Sequence, residues 1–315
     1  MDRPLKIGTR GSKLALWQAN WVKSVLEKKF PSTPVQLSII RTRGDKILDV
    51  PLARVGGKGL FVKEIEAALI DRRIDIAVHS MKDMPSDIPQ ELCIGAIPER
   101  ESPLDVFISR TGAKLCELTA GSVIGTSSMR RGAQLRHARP DIAIRPIRGN
   151  LDTRLKKLES ENFDALVLAA AGVKRLSLED KITEYLPPEI MLPAIGQGAL
   201  CIEIRSDDEI VGPMVASLDH APSRATVTGE RAFLNRLEGG CQVPIAGHGR
   251  VTEKQFSLIG LVAEIDGSRL IKGEKSGPLD SAEAIGSELA ELLLSRGADQ
   301  ILEKLKALAP EDYES

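Results

Sequence analysis

The chain has 315 residues, of which 42% are apolar and 28% charged, with a formal net charge of −1. That length predicts two or three domains, and the charge balance argues against both disorder and general nucleic-acid binding. Aromatic residues make up only 3%, so stacking platforms for bases are scarce. No run of about 18 apolar residues predicts a membrane span, and Met1 to Gly8 contain no apolar signal segment. The cysteines at 93, 116, 201 and 241 lack metal-ligand or CxxC spacing, so reduced thiols in a cytoplasmic protein are expected.

Leu5 to Gly8 reads as a first strand, and Ser12 as the N-cap of a helix with the stripe Leu14, Trp17, Trp21 and Val25, ended by Pro31. Arg10 beside that helix start would suit an anion, although an ordinary capped core helix has the same pattern. Val35, Leu37 and Ile39 alternate as a strand. The loop that follows contains Gly56-Gly57-Lys58-Gly59 without Walker A spacing, and a glycine-rich loop of this length in a compact domain is expected to be a lid or disordered. A helix from Leu60 to Ile70 then places Phe61, Ile65 and Leu69 on one face.

The next stretch, Asp75 to Pro85, starts as a buried strand and turns polar at once through His79, Ser80, Lys82 and Asp83. Pro85 stops a helix or central strand from continuing through it. Ligands of open α/β sheets bind outside the carboxyl ends of strands, so Asp83 beside Lys82 fits an acid/base group. A solvated strand-end turn explains the same residues. Leu92, Ile94 and Ala96 make a further strand.

Pro98 to Pro103 is a charged linker, after which a second α/β pattern opens at Val106. Its strands are read at Ser122–Gly125, Ile142–Ile147 and Ala165–Leu168, with Thr126-Ser127-Ser128 at one helix start and a helix carrying Leu151, Leu155 and Leu158. From Gly121 to Leu158 there are seven Arg and two Lys against two Asp, a local balance of +7. Solvated faces mix signs, so this excess points to a site for carboxylates or phosphates. Leu192 to Ala199 is a second linker, and the strand Leu200–Ile204 after it is read as returning to the first sheet, followed by a helix Asp207–Leu218. Two linkers would then form a double hinge between lobes that close on a ligand. From about Ala221 a helix (Thr226–Leu237), three strands with a turn at Asp266-Gly267 and two final helices read as a small α+β unit. Cys93 and Cys201 sit in strand runs, whereas Cys241 stands in a Gly-rich loop and is free to be a nucleophile or attachment point.

Several motifs together resemble one family. HSMKDMP at 79–85, GTSSMRR at 125–131, RGN at 148–150, LPAIGQGA at 192–199 and LEGGCQVP at 237–244 are similar to porphobilinogen deaminases (hydroxymethylbilane synthases), as are TRGSKLALWQA at 9–19 and VGGKGLFVKE at 55–64. One departure is Arg54, where relatives often have lysine. The resemblance implies two periplasmic-binding-protein-like α/β lobes joined by a double hinge, plus a small C-terminal α+β domain. It divides the chain into 1–98 with 200–218, 104–193, and 221–315. It also implies a cytoplasmic, monomeric transferase of porphyrin and haem biosynthesis that joins four porphobilinogen units into linear hydroxymethylbilane and releases ammonia. The family's dipyrromethane cofactor would be held by a thioether to Cys241. Asp83 would be the catalytic carboxylate, kept ionised with help from Lys82, assisting ammonia loss and stabilising the azafulvenium cation. Arg10, Ser12, Lys82, Thr126, Ser127, Ser128, Arg130, Arg131, Arg148, Arg154 and Arg175 would bind cofactor or substrate carboxylates, joined by Lys58 and Gln197. A non-catalytic two-lobed anion-binding protein explains the arginines but not Asp83, Cys241 or the missing export signal.

Overall fold

The computed structural model describes residues 3–46, 59, 61–238 and 243–308. The strands in chain order are β1 (Leu5–Thr9), β2 (Val35–Ile39), β3 (Ile76–Ser80) and β4 (Leu92–Ala96). They continue with β5 (Asp105–Ser109), β6 (Val123–Gly125), β7 (Ala143–Arg145), β8 (Ala165–Ala169) and β9 (Glu184–Leu186). The last are β10 (Leu200–Arg205), β11 (Ile245–Thr252), β12 (Gln255–Ala263) and β13 (Leu270–Pro278). Helices used below are α1 (Lys13–Lys29), α2 (Lys63–Ile70), α3 (Met129–Ala138), α4 (Leu151–Ser160) and α5 (Ala170–Arg175). After them come α6 (Val211–Ala216), α7 (Ala221–Arg236), α8 (Ala282–Leu293) and α9 (Asp299–Leu308).

The chain divides into two compact units, one of Met1–Glu101 with Gly198–Arg224 and the other of Ser102–Gln197 with Ala225–Ser315. The sheet of the first unit has the order β2-β1-β3-β10-β4. Strand β1 is parallel to β2 and β3, whereas β10 runs antiparallel between β3 and β4. One apolar layer joins Ile7, Ile76, Val78 and Ile202 to Ala19, Val22 and Leu26 of α1. A second joins Ile65, Ala68 and Leu69 of α2 to Ile74, Ala77 and Leu92.

Helix α1 differs from its periodic pattern. The fully buried side chains are Ala19, Val22 and Leu26, whereas Trp17 is 38% exposed and Trp21 and Val25 are only partly buried. A small residue at 19 lets the helix lie close on the sheet, which turns the bulky indoles to its margin. Ser12 does cap this helix, accepting from the Ala15 N–H at 3.3 Å. Helix α2 begins at Lys63 rather than Leu60, after a turn in which the Val62 N–H donates to the Gly59 carbonyl. The regular part of the predicted 207–218 helix is α6, where Asp208 accepts from the Val211 N–H at 2.9 Å.

In the second unit one sheet has the order β7-β6-β8-β5-β9 and another is the antiparallel meander β11-β12-β13. Strand β7 stops at Arg145 because Pro146 has no N–H to extend the ladder. The meander packs Phe256, Leu258 and Val262 against Phe233 of α7, Leu289 and Leu293 of α8 and Ile301 of α9. Helices α7 and α8 approach so closely that a Cβ on Gly286 would overlap the carbonyl oxygen of Gly229.

Two buried carboxylates organise this unit. Glu230 is fully buried and accepts from the Gly196 N–H at 2.7 Å and the Gly249 N–H at 2.8 Å, tying the 192–199 segment to β11. Asp105, also fully buried, accepts from Arg130 Nη1 at 2.8 Å, Arg131 Nε and Nη2 at 3.0 and 2.7 Å, and Gln197 Nε2 at 3.0 Å. Arg130 also donates to the Leu192 carbonyl at 2.7 Å and Arg131 to the Val167 carbonyl at 3.0 Å. Burial alone would raise the Asp105 carboxyl, but the two guanidinium charges and the hydrogen bonds from Arg130 and Gln197 outweigh it and hold the group at about 2.

Replacing Asp105 by Asn strands two buried cations, and a loss of roughly 3–5 kcal/mol is expected in chemical denaturation of the variant. In the unaltered chain the depressed carboxyl adds stability on the order of 2 kcal/mol. That increment is present above pH 3.8, the ordinary value, and is lost as pH falls toward 2, which acid titration followed by circular dichroism reads. A Gly286→Ala variant should lose about 1–3 kcal/mol by overpacking, with a thermal melt as the measurement.

Candidate active site

Strand β3 delivers the polar stretch read from the sequence to one end of the first sheet. The chain turns there through one 3-10 turn, Met81–Asp83, whose Met81 N–H donates to the Ala199 carbonyl at 3.0 Å. Met81 and Met84 are buried at 2% and 6%, so they anchor the turn, and Lys82 and Asp83 are left half-buried. Asp83 lines a pocket with Arg10, Ser12, Gln18, Phe61, His79 and Ser80. Gln18 Nε2 donates to Ser80 Oγ at 2.9 Å, and the Arg10 guanidinium lies 4.0 Å over the Phe61 ring. Cation–π stacking orients that guanidinium, and the pocket presents one carboxylate, one guanidinium and several hydroxyl and amide groups. Lys82 shares the turn but is not among the residues lining the pocket.

In the second unit the hydroxyls at 126–128 build the β6–α3 turn. Thr126 Oγ1 accepts from the Ser128 N–H at 3.2 Å, and Ser128 Oγ caps α3 by accepting from the Arg131 N–H at 3.4 Å. Ser127 Oγ donates to the Ile147 carbonyl at 2.8 Å and accepts from the Ile147 N–H at 3.1 Å, which sets the segment leading to Arg148.

The arginines that make this region so positive divide into two groups. Arg139 pairs with Asp141 at 2.7 Å, Arg136 donates to the Ile265 carbonyl at 2.9 Å, and Arg145 lies 4.0 Å over the Phe163 ring. Arg130 and Arg131 are committed to Asp105. Arg148 and Arg154 are different: among the described residues neither has a carboxylate partner. The Arg154 guanidinium donates through Nε to the Gly149 carbonyl at 2.8 Å. Burial, with the neighbouring charges of Arg131 and Arg148, pushes it down to about 10. The Arg154 guanidinium thus lies near enough to those of Arg131 and Arg148 to be opposed by their charge, an excess that an anion would relieve.

Arg175, at the end of α5, is buried at 8%, and Gln197 is fully buried with its amide on Asp105 and the Pro103 carbonyl. Lys58, Arg54, Cys241 and the glycine-rich 56–58 segment lie outside the described residues. Of the residues named from the sequence, Arg10, Ser12 and Asp83 meet at one pocket, and Arg131, Arg148 and Arg154 form one charge cluster. Sequence reasoning placed His79 and Ser80 at this strand end but missed Gln18 and Phe61 as lining groups and Asp105 as the counter-ion of Arg130 and Arg131. An acidic residue opening the strand ahead of that Arg-rich stretch was the available signal for Asp105.

The family model described as porphobilinogen deaminase, dipyromethane cofactor binding domain, matches residues 5–212, and that of the porphobilinogen deaminase C-terminal domain matches 224–295. The porphobilinogen deaminase of Pelobacter propionicus is 54% identical over 303 residues, covering 96% of this chain and 97% of that protein. That of Carboxydothermus hydrogenoformans is 50% identical over 311 residues, covering 99% of this chain and all of the other. Among solved structures, the methionine binding protein MetQ is similar at a TM-score of 0.42 and 13% identity, over 68% of this chain and 89% of that one. At such identity across nearly its whole length, the chain belongs to the porphobilinogen deaminase family.

Proposed function

We propose that this chain joins four porphobilinogen units head to tail into hydroxymethylbilane, releasing ammonia at each condensation, and that the Asp83 pocket and the arginine cluster perform it. The observation in the structure that carries this reading is the trio Arg131, Arg148 and Arg154, in which two cations have no carboxylate partner among the described residues. Pyrroles bearing acetate and propionate groups supply the anionic charge that such a trio favours. The donor set therefore fits dipyrromethane, which when bound supplies the pyrrole end to which the first substrate is joined.

In this reading Arg131, Arg148, Arg154 and Arg175 hold carboxylates of cofactor and growing chain, and the hydroxyls of Thr126, Ser127 and Ser128 orient them. Arg130 and Gln197 enter through Asp105, which fixes both. Arg10 and Ser12 bind the incoming substrate's carboxylates beside Asp83, with Lys82 and Lys58 as further cations. The Asp83 carboxylate accepts hydrogen bonds from pyrrole N–H groups and offsets the positive charge that develops as the aminomethyl C–N bond breaks. Cys241 is the thioether anchor.

We further read the chain as three functional parts, 1–98 with 200–218, 104–193, and 221–315. Each contains its own sheet and apolar cluster, which supports that division. No helix among the described residues is long and apolar enough to cross a membrane. A cytoplasmic monomer is the working state this reading takes from the family. The family match gives no support to a non-catalytic receptor.

An Asp83→Asn variant should keep its cofactor while turnover falls by about two to four orders of magnitude. Ammonia release near the unaltered rate would remove Asp83 from the chemistry. Intact-mass measurement should show the unaltered chain heavier by two condensed pyrrole units and a Cys241→Ser chain at its bare mass. An added mass that survives in the serine variant would place the attachment elsewhere.

A further inference from the structure

Behind the Asp83 pocket lies a buried titratable cluster that the proposed function does not use. His79 is 6% exposed on β3, and its Nε2 lies 3.0 Å from Oε2 of Glu203, which is fully buried on β10. The other carboxylate oxygen of Glu203 is buried with no hydrogen-bond partner among the described residues, and the same holds for Oε1 of Glu66 on α2, itself 7% exposed. A carboxylate oxygen left in this way costs stability, and an apolar pair of similar volume would avoid the cost. The cluster therefore calls for a functional explanation.

The ring of His79 supplies it. With Glu203 as the acceptor and Nε2–H as the donor of this contact, Nδ1 is the ring nitrogen available to take a proton. Nδ1 has no partner among the described residues, and His79 lines the same pocket as Asp83, Ser80 and Arg10. The arrangement is that of a general base oriented by a buried carboxylate. Glu66 completes it: burial first, and the charge of Glu203 second, push its carboxyl up, opposed by His79 and Lys63. Glu66 therefore gives up its proton less readily than an ordinary carboxyl, and its place beside Glu203 limits how much negative charge gathers behind the ring. The charged groups facing the ring and its carboxylates are thus Glu203 from β10, Glu66 from α2 with Lys63 beside it, and, in the pocket, Asp83 from the turn and Arg10 ahead of α1.

We propose that His79 is the proton acceptor of the condensation, with Glu203 and Glu66 as its positioning residues; this rests on the porphobilinogen reading above. In each round the substrate's aminomethyl C–N bond breaks and its electron pair leaves with ammonia. A C–C bond forms at a pyrrole α-carbon, whose C–H bond must then break. His79 Nδ1 takes that proton, Glu203 stabilises the imidazolium, and the proton passes to the departing ammonia, so ammonium is the net product. A separate base leaves Asp83 free to stay anionic throughout, which one carboxylate serving both tasks could not do.

The test uses the cofactor-loaded full chain with porphobilinogen. His79→Gln retains a donor toward Glu203 and deletes Nδ1. We expect kcat to fall about a hundredfold or more, with the cofactor mass and thermal midpoint retained and KM moved by far less. Glu203→Gln keeps a hydrogen-bond acceptor but removes the charge that favours the imidazolium, so the acid limb of its kcat profile should move to lower pH. The proposal is overturned if His79→Gln keeps kcat within about threefold, or if the acid limb of Glu203→Gln stays in place. Should His79→Gln not fold, the Glu203→Gln profile decides alone. If the unaltered, cofactor-loaded chain releases no ammonia from porphobilinogen, the assigned reaction fails first, an outcome distinct from either of these.

Discussion

The arginine-rich unit depends on how one carboxylate is shared. Asp105 lies beneath Arg130 and Arg131, and the two guanidinium groups reach outward only as far as that buried anion allows. Arg130 Nη1 also donates to the Leu192 carbonyl and Arg131 Nη1 to the Val167 carbonyl, so the same ion cluster ties the segment before β10, the middle of β8 and the start of α3 to one point. Gln197 brings the following linker to that point as well. A single unpaired Arg here would carry a desolvation cost of several kcal/mol, and the shared carboxylate offsets two of them at once. Arg148 and Arg154 are not supplied with a carboxylate among the described residues, which leaves the unit with a standing demand for external negative charge.

In the first unit the logic is reversed, because the surplus buried charge is acidic. Asp75 is bound by Arg3, Arg205 and the Lys6 N–H at the start of β3, and Glu203 meets His79 near its end. A strand that is apolar in its middle and ionic at both ends is held in register along its length, since a one-residue slip would bury unpaired carboxylates. The turn that carries Asp83 inherits its position from that strand.

Much of this was legible in the sequence. The α/β alternation, the Ser12 cap, the strand at Ile76–Val78, the meander and the local excess of Arg followed from periodicity, capping chemistry and counting. What was not legible depends on distance through space. Nothing local tells Arg130 from Arg148, yet one is neutralised by a carboxylate 25 residues earlier and the other is not. The helix face of α1 was misjudged because hydrophobicity favoured the indoles, whereas close packing on the sheet selected Ala19, Val22 and Leu26. His79 looked like one polar residue among several until Glu203, 124 positions later, was placed beside it.

The position of β10 has a consequence for how the chain is made. Strand β4 is complete at Ala96, but its only sheet neighbour among the described residues is β10, which begins at Leu200. The sheet of the first unit therefore stays open while the intervening residues are synthesised, a delay of roughly 5–20 s. During that interval β3 and β4 each present an unpaired edge and the apolar face later covered by Ile202 and Ile204. The nascent first unit is thus a natural client for a chaperone at the ribosome, and its vulnerability ends only when the returning strand emerges.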